Sequence, residues 1–348
     1  KTRWLCKNDR KRVLLTMKPN AEMTGVEFGV QTNAPSQGGN AAQKREHDKR
    51  LGAGTMSRAG TQCPCCGTIM TMEDIRIEGK TGRLGTIATA VVTESQTTKE
   101  YRLPTQYELE CAAKATGELE GVFADIPHGI PNEPTPAGGG RGAARAFSIQ
   151  GYGLMRWRDL FTSRQLLALG TLVKAIRQVA TSNDPCLPPE WRDAVAALLV
   201  ILFDKTADYS STVCTWHNSG EKIGHTFARF ALPITWDVAE LATINEVGGS
   251  VSAQLDWVAR YIETALEAFK ASPDVSIVRR SATQAGDVRL DAVVTDPPYY
   301  DSIPYSDCMD YFYVWIKRII CDTPLEGEGW LKADTSPKWN HEENDGEL

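Results

Sequence analysis

The segment DAVVTDPPYYDSIPYSDCMDYFYVW, residues 291–315, constrains the fold of this chain more than any other. Its apolar run from Ala292 to Thr295 is typical of a buried strand, and it stops at an acid and two prolines. An aromatic helix is predicted after it, in DYFYVWIKRII. Strand, loop and helix in this order are typical of an open α/β sheet, which binds ligands at the carboxyl ends of its strands. We therefore expect Asp296 to lie at such an end.

The string at this strand end resembles the catalytic motif of amino-group DNA methyltransferases, which use S-adenosylmethionine. It consists of Asp296, Pro297, Pro298 and Tyr299. The exocyclic amine of adenine is a poor nucleophile, because its lone pair is delocalised into the ring. The Asp296 carboxylate and the Pro297 carbonyl are acceptors that can localise this lone pair, and tandem prolines hold them in a preset geometry. Tyr299 offers a flat face on which an extruded base can stack.

Two alternatives remain open at this point. The string also fits a strand that ends in a proline turn, with Asp296 as a cap. Related enzymes often carry Ser at the first position for cytosine amines and Asn for glutamine side chains. Asp296 therefore favours adenine, with cytosine as the lesser option.

Longer segments extend the resemblance to nearly all of the chain. They are TDPPYYDSIPYSDCMDYFYVWIKR, YGLMRWRDLFTSRQLLAL and HTFARFALPITWDVAEL, and together they resemble bacterial and archaeal adenine-specific DNA methylases that contain a zinc ribbon. The resemblance implies a Rossmann-like α/β methyltransferase fold with a β-rich, zinc-ribbon-like insertion and a helical insertion. It also implies that four residues continue the motif loop: Tyr300, Asp301, Pro304 and Tyr305. Of these, the three with substrate-binding roles are Tyr300, Asp301 and Tyr305.

The same resemblance implies DNA as partner, a role in restriction or phage defence, and other subunits of a defence system. Pattern and composition then divide the chain into four regions. We expect the β-rich insertion, half of it present, in residues 1–100, a helix and a Pro/Gly linker in 101–150, a helical region in 151–271, and the catalytic α/β segment in 272–348.

Local signals refine this division. Residues 10–19 and 26–32 predict strands, and residues 33–61 predict a loop. The stretch CPCCGTIMTMEDIR predicts a tight turn that leads into a strand. Thr105, with Glu108 three residues later, predicts the start of a helix.

Cys63 and Cys66 form a C-P-x-C-G knuckle that is typical of a structural zinc site. Tetrahedral zinc needs four ligands, and one knuckle supplies two. Cys65 is expected to point elsewhere, and Cys6 and His47 are the candidate partners. The alternative is a reduced cysteine cluster with no metal. In the resembled family the other knuckle lies upstream of the RWLCK segment, so we expect this chain to be an internal fragment.

The cofactor half of a methyltransferase is not recognisable in the sequence. Methylases of this kind hold S-adenosylmethionine with a glycine loop after their first strand, and AGGGRGAAR and NEVGGSVS follow no apolar strand. The cofactor-binding residues are therefore unknown. The alternative function is a non-catalytic DNA-binding or scaffolding subunit, or a truncated fragment that needs an upstream cofactor-binding segment.

Bulk properties exclude some classes of protein. The net charge of −6 argues against a wholly basic nucleic-acid coat protein, although one basic face is compatible with it. The first 50 residues are rich in Lys and Arg, which a solvated surface explains as well as a phosphate-binding track does. The sequence shows no membrane span or secretory pattern, and its nine cysteines at irregular spacing indicate reduced thiols, so we expect a cytoplasmic protein.

Two weaker hypotheses concern charged side chains. Arg164 and Gln165 are candidates for contacts with DNA, although a salt bridge at a helix N-terminus explains them equally well. Asp237 and Glu240 lie at helical spacing in the string WDVAE, where an acidic solvated face or a cap is the simpler explanation.

Overall fold

The fold consists of a β-rich N-terminal module, whose described residues lie within 2–102, and a body of helices, whose described residues lie within 105–326. The computed structural model describes residues 2–8, 10–95, 97–139, 145–272, 276, 289–297, 299 and 302–326. The helices are α1 (Ala41–Leu51), α2 (Met72–Lys80), α3 (Gln106–Phe123), α4 (Ser163–Ala180), α5 (Pro189–Asp208), α6 (Val251–Phe269) and α7 (Tyr305–Ile320). None of these described helices is both long and apolar enough to cross a membrane.

The described strands form four small antiparallel sheets. The strands are β1 (Trp4–Lys7), β2 (Arg12–Pro19), β3 (Val26–Gln31), β4 (Gly60–Gln62), β5 (Ile69–Thr71), β6 (Val91–Glu94), β7 (Lys99–Arg102), β8 (Trp216–His217) and β9 (Lys222–Ile223). Three of them make the sheet β1-β2-β3, and the others pair as β4-β5, β6-β7 and β8-β9. The strands predicted in residues 10–19 and 26–32 are confirmed as β2 and β3, with β2 beginning two residues later and β3 ending one residue earlier than predicted. Since these sheets are all antiparallel, the α/β methyltransferase fold stays a prediction.

Helix starts in the body follow the capping signals of the sequence. Thr105 accepts from the Glu108 N–H, and the Glu108 carboxylate accepts from the Thr105 N–H at 2.8 Å, as predicted for α3. Thr162 and Gln165 form the same reciprocal box at the start of α4. Proline occupies the start of α5, where a missing N–H costs no hydrogen bond.

The predictions for residues 33–61 and for the segment after the knuckle were wrong in part. Residues 33–61 include α1, which Asn40 begins by accepting from the N–H groups of Ala42 and Gln43 at 3.0 Å. After the knuckle, the chain forms the short strand β5 and then α2. Thr71 and Asp74 make a capping box there, and this local signal outweighs the β-branched composition of the segment.

The centre of the helical core is supplied by α7. Tyr311, Val314 and Trp315 are fully buried and lie on one face of this helix, three and four residues apart. The Trp315 ring packs against Phe203 at 5.6 Å and edge-on against Phe161 at 5.4 Å. Burying a large apolar side chain contributes roughly 1.5–3 kcal/mol. The aromatic helix predicted after the motif is thus confirmed, and it holds the body together.

A buried ion pair joins α7 to the loop of residues 128–133. The Arg318 guanidinium, 1% exposed, donates to both carboxylate oxygens of Glu133 at 2.9 and 3.0 Å. It also donates to the three carbonyls of residues 128–130. Burial pushes the pKa of Glu133 up, but hydrogen bonds from Arg318 and Lys317 outweigh it and hold this pKa below its usual range. The described part of the Pro- and Gly-rich stretch, residues 125–139, contains no helix or strand, as predicted, and residues 128–133 are fixed to the core.

The β-rich module rests on the β8-β9 hairpin. Trp216 donates its indole N–H to the Leu5 carbonyl at 2.6 Å and meets the Tyr101 ring edge-on. Glu221 accepts from the Tyr101 hydroxyl at 2.7 Å and pairs with Lys11 at 3.2 Å. Burial, followed by the hydrogen bond to Glu221, raises the pKa of Tyr101, so this hydroxyl stays a donor. These contacts attach the β-rich module to the helical body.

We expect Arg318→Met to lower the free energy of unfolding by about 3–5 kcal/mol, because the buried Glu133 carboxylate keeps only Lys317 of its two cationic partners and the carbonyls of residues 128–130 lose their donor. The matched control is Arg164→Met, which breaks a partly exposed pair with Glu240 and should cost about 1 kcal/mol or less. Urea denaturation measures both values. A loss at Arg318 no larger than the loss at Arg164 would contradict the structural role of the buried pair.

Candidate functional site

The predicted motif lies in exposed chain directly before α7. Residues 291–297 contain no helix or strand, and Val293 and Val294 are 71% and 95% exposed. The buried strand predicted at Ala292 to Thr295 is therefore not present in the described structure. A strand needs a neighbour that satisfies its backbone groups, and no described strand pairs with this segment. Three predicted site residues lie outside the described residues: Pro298, Tyr300 and Asp301.

The described motif residues are accessible to a ligand. Asp296 and Pro297 are exposed, and the Tyr299 side chain is 64% exposed. An exposed aromatic ring of this size is a surface on which another flat ring can stack. The exposed carboxylate and carbonyl are acceptors that solvent reaches. The arrangement can therefore accept hydrogen bonds and stack on a planar ligand.

The downstream end of the motif is anchored by α7. Tyr305 begins this helix and is half-buried. Two turns later the Tyr311 hydroxyl, fully buried, donates to the Ala207 carbonyl of α5 at 2.7 Å. The motif thus leads into a helix whose position the core fixes, whereas the chain before Asp296 has no such support.

A buried carboxyl near the motif escaped sequence analysis. Asp307 lies on the inner face of α7, one turn before Tyr311, and its Oδ1 has no hydrogen-bond partner among the described residues. Burial raises the pKa of Asp307 to about 6. Its spacing of four residues from Tyr311 places both side chains on one helix face, and this is the signal that could have revealed it. Perturbed carboxyls of this kind cluster at functional sites, although structural ones occur as well.

A second buried carboxyl, Asp204, lies within α5. Its Oδ1 has no hydrogen-bond partner among the described residues. Burial raises its pKa to about 8. In the sequence, Asp204 directly follows the apolar run of residues 194–203, and this position was the signal that could have revealed its burial. A carboxyl in such a place destabilises the fold when it ionises.

An Asp–His–Tyr group closes the end of α5. His225 Nδ1 lies 2.9 Å from the Asp208 carboxylate, and His225 Nε2 lies 3.0 Å from the Tyr209 hydroxyl. Asp208 also accepts from the N–H of Phe227 at 3.1 Å. Burial, and then the Asp208 charge, raises the pKa of Tyr209. Since both ring nitrogens of the histidine are engaged, the group ties the loop around Phe227 to α5.

The charged residues near α4 have structural partners. Arg164 makes a two-pronged salt bridge to Glu240, with N–O distances of 2.6 and 2.7 Å. Gln165 is buried and takes part in the helix cap. Asp237 accepts from the Thr2 N–H at 3.2 Å. The salt-bridge explanation for Arg164 is confirmed, and these side chains carry no argument for DNA contact.

The knuckle is a tight turn held by backbone hydrogen bonds. Gly67, with φ of +75°, donates its N–H to the Cys63 carbonyl at 2.9 Å, and the Cys63 N–H donates to the Thr68 carbonyl. Hydrogen bonds from Thr68 and then the nearby Cys63 thiol lower the pKa of Cys66. A lowered pKa favours the thiolate, which is the metal-binding form. Cys65 instead donates its thiol to the Gly25 carbonyl at 3.3 Å.

The candidate partners of the knuckle lie elsewhere. Cys6 is fully buried and donates to the Lys11 carbonyl, and His47 lies 3.5 Å from the Asp48 carboxylate. Within the described ranges, only one group of three possible metal ligands comes close together: Cys321, Asp322 and Glu326. Glu326 there accepts from the Asp322 N–H at 2.7 Å, which closes a loop after α7. The described chain therefore brings only two thiols of the predicted zinc site together.

The glycines considered for the cofactor serve packing. Gly249, with φ of +94°, lies against the Tyr209 ring, where a Cβ would approach ring atoms to 3.1 Å. Ser250 then caps α6 and is fully buried. Part of the other string, AGGGRGAAR, lies outside the described residues. Among the described residues, no glycine loop follows a strand in the manner that S-adenosylmethionine binding requires.

We expect Asp204→Asn to stabilise the protein increasingly as pH rises. The folded-state pKa of about 8 exceeds the ordinary value of 3.8. Folding therefore carries no penalty below about pH 4, an increasing penalty between about pH 4 and 8, and a constant one above. The variant should gain about 2–5 kcal/mol in unfolding free energy relative to the parent chain across this window.

Urea titrations at pH 5 and pH 8 measure this gain. The matched control is Asp125→Asn, whose side chain is 80% exposed and should show no such trend. The same pH dependence in both variants would contradict the assignment of the penalty to Asp204.

Comparisons of this chain with protein-family models, with curated proteins and with solved structures find no significant match. A functional conclusion therefore depends on the residues themselves.

Proposed function

We propose that this chain is a DNA methyltransferase that transfers a methyl group from S-adenosylmethionine to the N6 amine of adenine. One observation carries the proposal. Asp296, Pro297 and Tyr299 lie together in accessible chain, immediately before a helix that the core holds in place. This combination of acceptors and an aromatic face suits a planar base with an exocyclic amine.

Each motif residue has a defined task in this proposal. The Asp296 carboxylate and the Pro297 carbonyl accept hydrogen bonds from the two N–H groups of the adenine amine, which localises the nitrogen lone pair. Tyr299 stacks on the extruded base. With its lone pair localised, the amine nitrogen is the nucleophile of the proposed reaction. S-adenosylmethionine supplies the methyl group when bound, and no residue of this chain is assigned to it.

The setting follows from the same resemblance. The proposal places the protein in the cytoplasm, in a restriction or phage-defence system with DNA as substrate. A structural zinc would be held by Cys63 and Cys66 with two further ligands from outside the described residues. The lowered pKa of Cys66 supports this half-site.

A second candidate is a DNA-binding or scaffolding subunit with no activity of its own, or a fragment that requires an upstream cofactor-binding segment. The observation that favours it is the lack of a strand-linked glycine loop among the described residues. Calorimetric titration with S-adenosylmethionine separates the two candidates. Saturable binding by this chain supports the enzyme, and its absence supports the second candidate.

For the enzyme, we expect Asp296→Ala to reduce methyl transfer by about 100-fold or more, since one of the two groups that activate the amine is lost. Transfer of a labelled methyl group to adenine in duplex DNA measures the rate. Asp291→Ala is the matched control, because this aspartate is exposed in the same segment but lies outside the motif. Equal rates in the two variants would contradict the role of Asp296.

For the metal, we expect Cys63→Ser and Cys66→Ser to abolish the thiolate absorption of bound cobalt(II), used as a substitute for zinc. Cys65→Ser should retain this absorption, because the Cys65 thiol is directed at the Gly25 carbonyl. Loss of the signal only in Cys65→Ser, or in none of the three variants, would rule out the knuckle as the metal ligand pair.

A further inference from the structure

Charge is distributed unevenly along the chain. Residues 1–58 contain 12 Lys and Arg against 5 Asp and Glu, a formal charge of +7, whereas the whole chain carries −6. The remainder therefore carries −13. A basic module on an acidic body attracts a polyanion to one part of the surface and repels it from the rest.

Part of the basic charge is used to hold the module together. Arg3 donates to carbonyls at the C-terminal end of α1, and the other members of this group make ion pairs. The group consists of Arg3, Lys7, Lys11 and Arg12. These side chains already have structural partners, so they are not part of the proposed binding surface.

The remaining basic side chains face solvent. The exposed set is Arg10, Lys18, Lys44, Arg45, Lys49, Arg50 and Arg58. Within the described part of the chain, only Lys49 has an ion-pair partner, Glu46 at 3.9 Å. Both side chains of this pair are exposed, so it contributes little. The module thus presents uncompensated positive charge to solvent.

Four of these cations lie on α1, which the module holds rigidly. The Trp4 indole N–H donates to the Asp48 carbonyl at 2.9 Å, and Arg12 pairs with the Asp48 carboxylate at 2.5 Å. Asp48 therefore faces the sheet. At 100° per residue, Arg45, Lys49 and Arg50 lie on the remaining faces of the helix. Cations that are fixed on a helix lose less entropy on binding than cations on a free tail do.

We infer that the exposed face of α1, together with the neighbouring free cations of residues 10–58, binds the phosphodiester backbone of DNA. The inference rests on the proposed DNA substrate and adds the surface that holds it. Duplex DNA carries one negative charge per roughly 1.7 Å of its axis, and neutralising these charges releases counterions. Contacts of this kind position the duplex without selecting a sequence.

The test compares two triple variants that remove the same charge. The first is Arg45→Gln/Lys49→Gln/Arg50→Gln on α1. The control is Lys114→Gln/Arg260→Gln/Lys270→Gln, at exposed positions on α3, on α6 and directly after α6. In the control, Lys270 has an exposed partner, Glu267, three residues away, as Lys49 has Glu46.

Fluorescence anisotropy with a labelled duplex, measured as a function of salt, gives the affinity and its salt slope. We expect the α1 variant to lose about 10-fold or more in affinity and to flatten the slope by about one for each lost phosphate contact. The control should bind as the parent chain does. Equal slopes for the two triple variants would overturn the inference, and so would equally tight binding of polyglutamate by the parent chain.

The result is independent of the methylation assay. Asp291→Ala should keep full DNA affinity, because this exposed residue lies outside both the motif and the basic surface. If the α1 variant binds DNA as tightly as the parent chain while methyl transfer is intact, only the proposed DNA-binding surface is contradicted. If the parent chain transfers no methyl group but the α1 variant loses salt-dependent DNA binding, only the proposed enzymatic activity is contradicted.

Discussion

The buried pair between Arg318 and Glu133 is the interaction on which the helical body depends. Two charges taken out of water are costly unless every donor and acceptor finds a partner. Here the guanidinium also donates to carbonyls of residues 128–130. From the other side, Arg177 of α4 donates to carbonyls at the C-terminal end of α7. The C-terminal half of α7 is thus fixed by two elements, with the Pro- and Gly-rich loop acting as one of them.

This rigidity has a consequence for the motif that precedes α7. A helix held by Arg318 at one end and by Tyr311 nearer the other gives the motif a fixed downstream anchor. Catalytic groups act efficiently only when their positions are set before the ligand arrives. Asp307, between the motif and Tyr311, keeps a carboxyl without a hydrogen-bond partner among the described residues. A carboxyl that lacks a hydrogen-bond partner reduces the stability of the fold. Residues with this effect are typical of functional regions, where the usual pairing of buried polar groups is broken.

Sequence analysis succeeded where a local signal and the core agreed. The start of α3 at Thr105 and the aromatic helix α7 were predictable, since caps and apolar spacing gave the same answer. It missed α1, because the side chains of that helix are almost all polar and its stability comes from Asn40 and from contacts with Trp4 and Arg12. Such contacts join residues far apart in sequence and leave no local pattern.

The prediction of a strand before the motif was wrong for a different reason. Ala292 to Thr295 has the composition of a buried strand, but composition does not supply the neighbouring strand that its backbone needs. The buried acids Asp204 and Asp307 escaped because burial is a property of the packed body. The Arg164–Glu240 pair was predictable only in part. There the sequence offered two explanations, and only the positions of both side chains could separate them.

The uneven distribution of charge determines which part of a nucleotide the motif could hold. Phosphates are repelled by an acidic body, and Asp296 adds a further negative charge at the proposed base-binding motif. A duplex held by the basic module would therefore keep its backbone on that module. An adenine base is neutral, so entering the acidic body costs it no comparable repulsion. Extrusion of the base separates the neutral part of the nucleotide from its charged backbone, and this is the part that Asp296, Pro297 and Tyr299 are suited to hold.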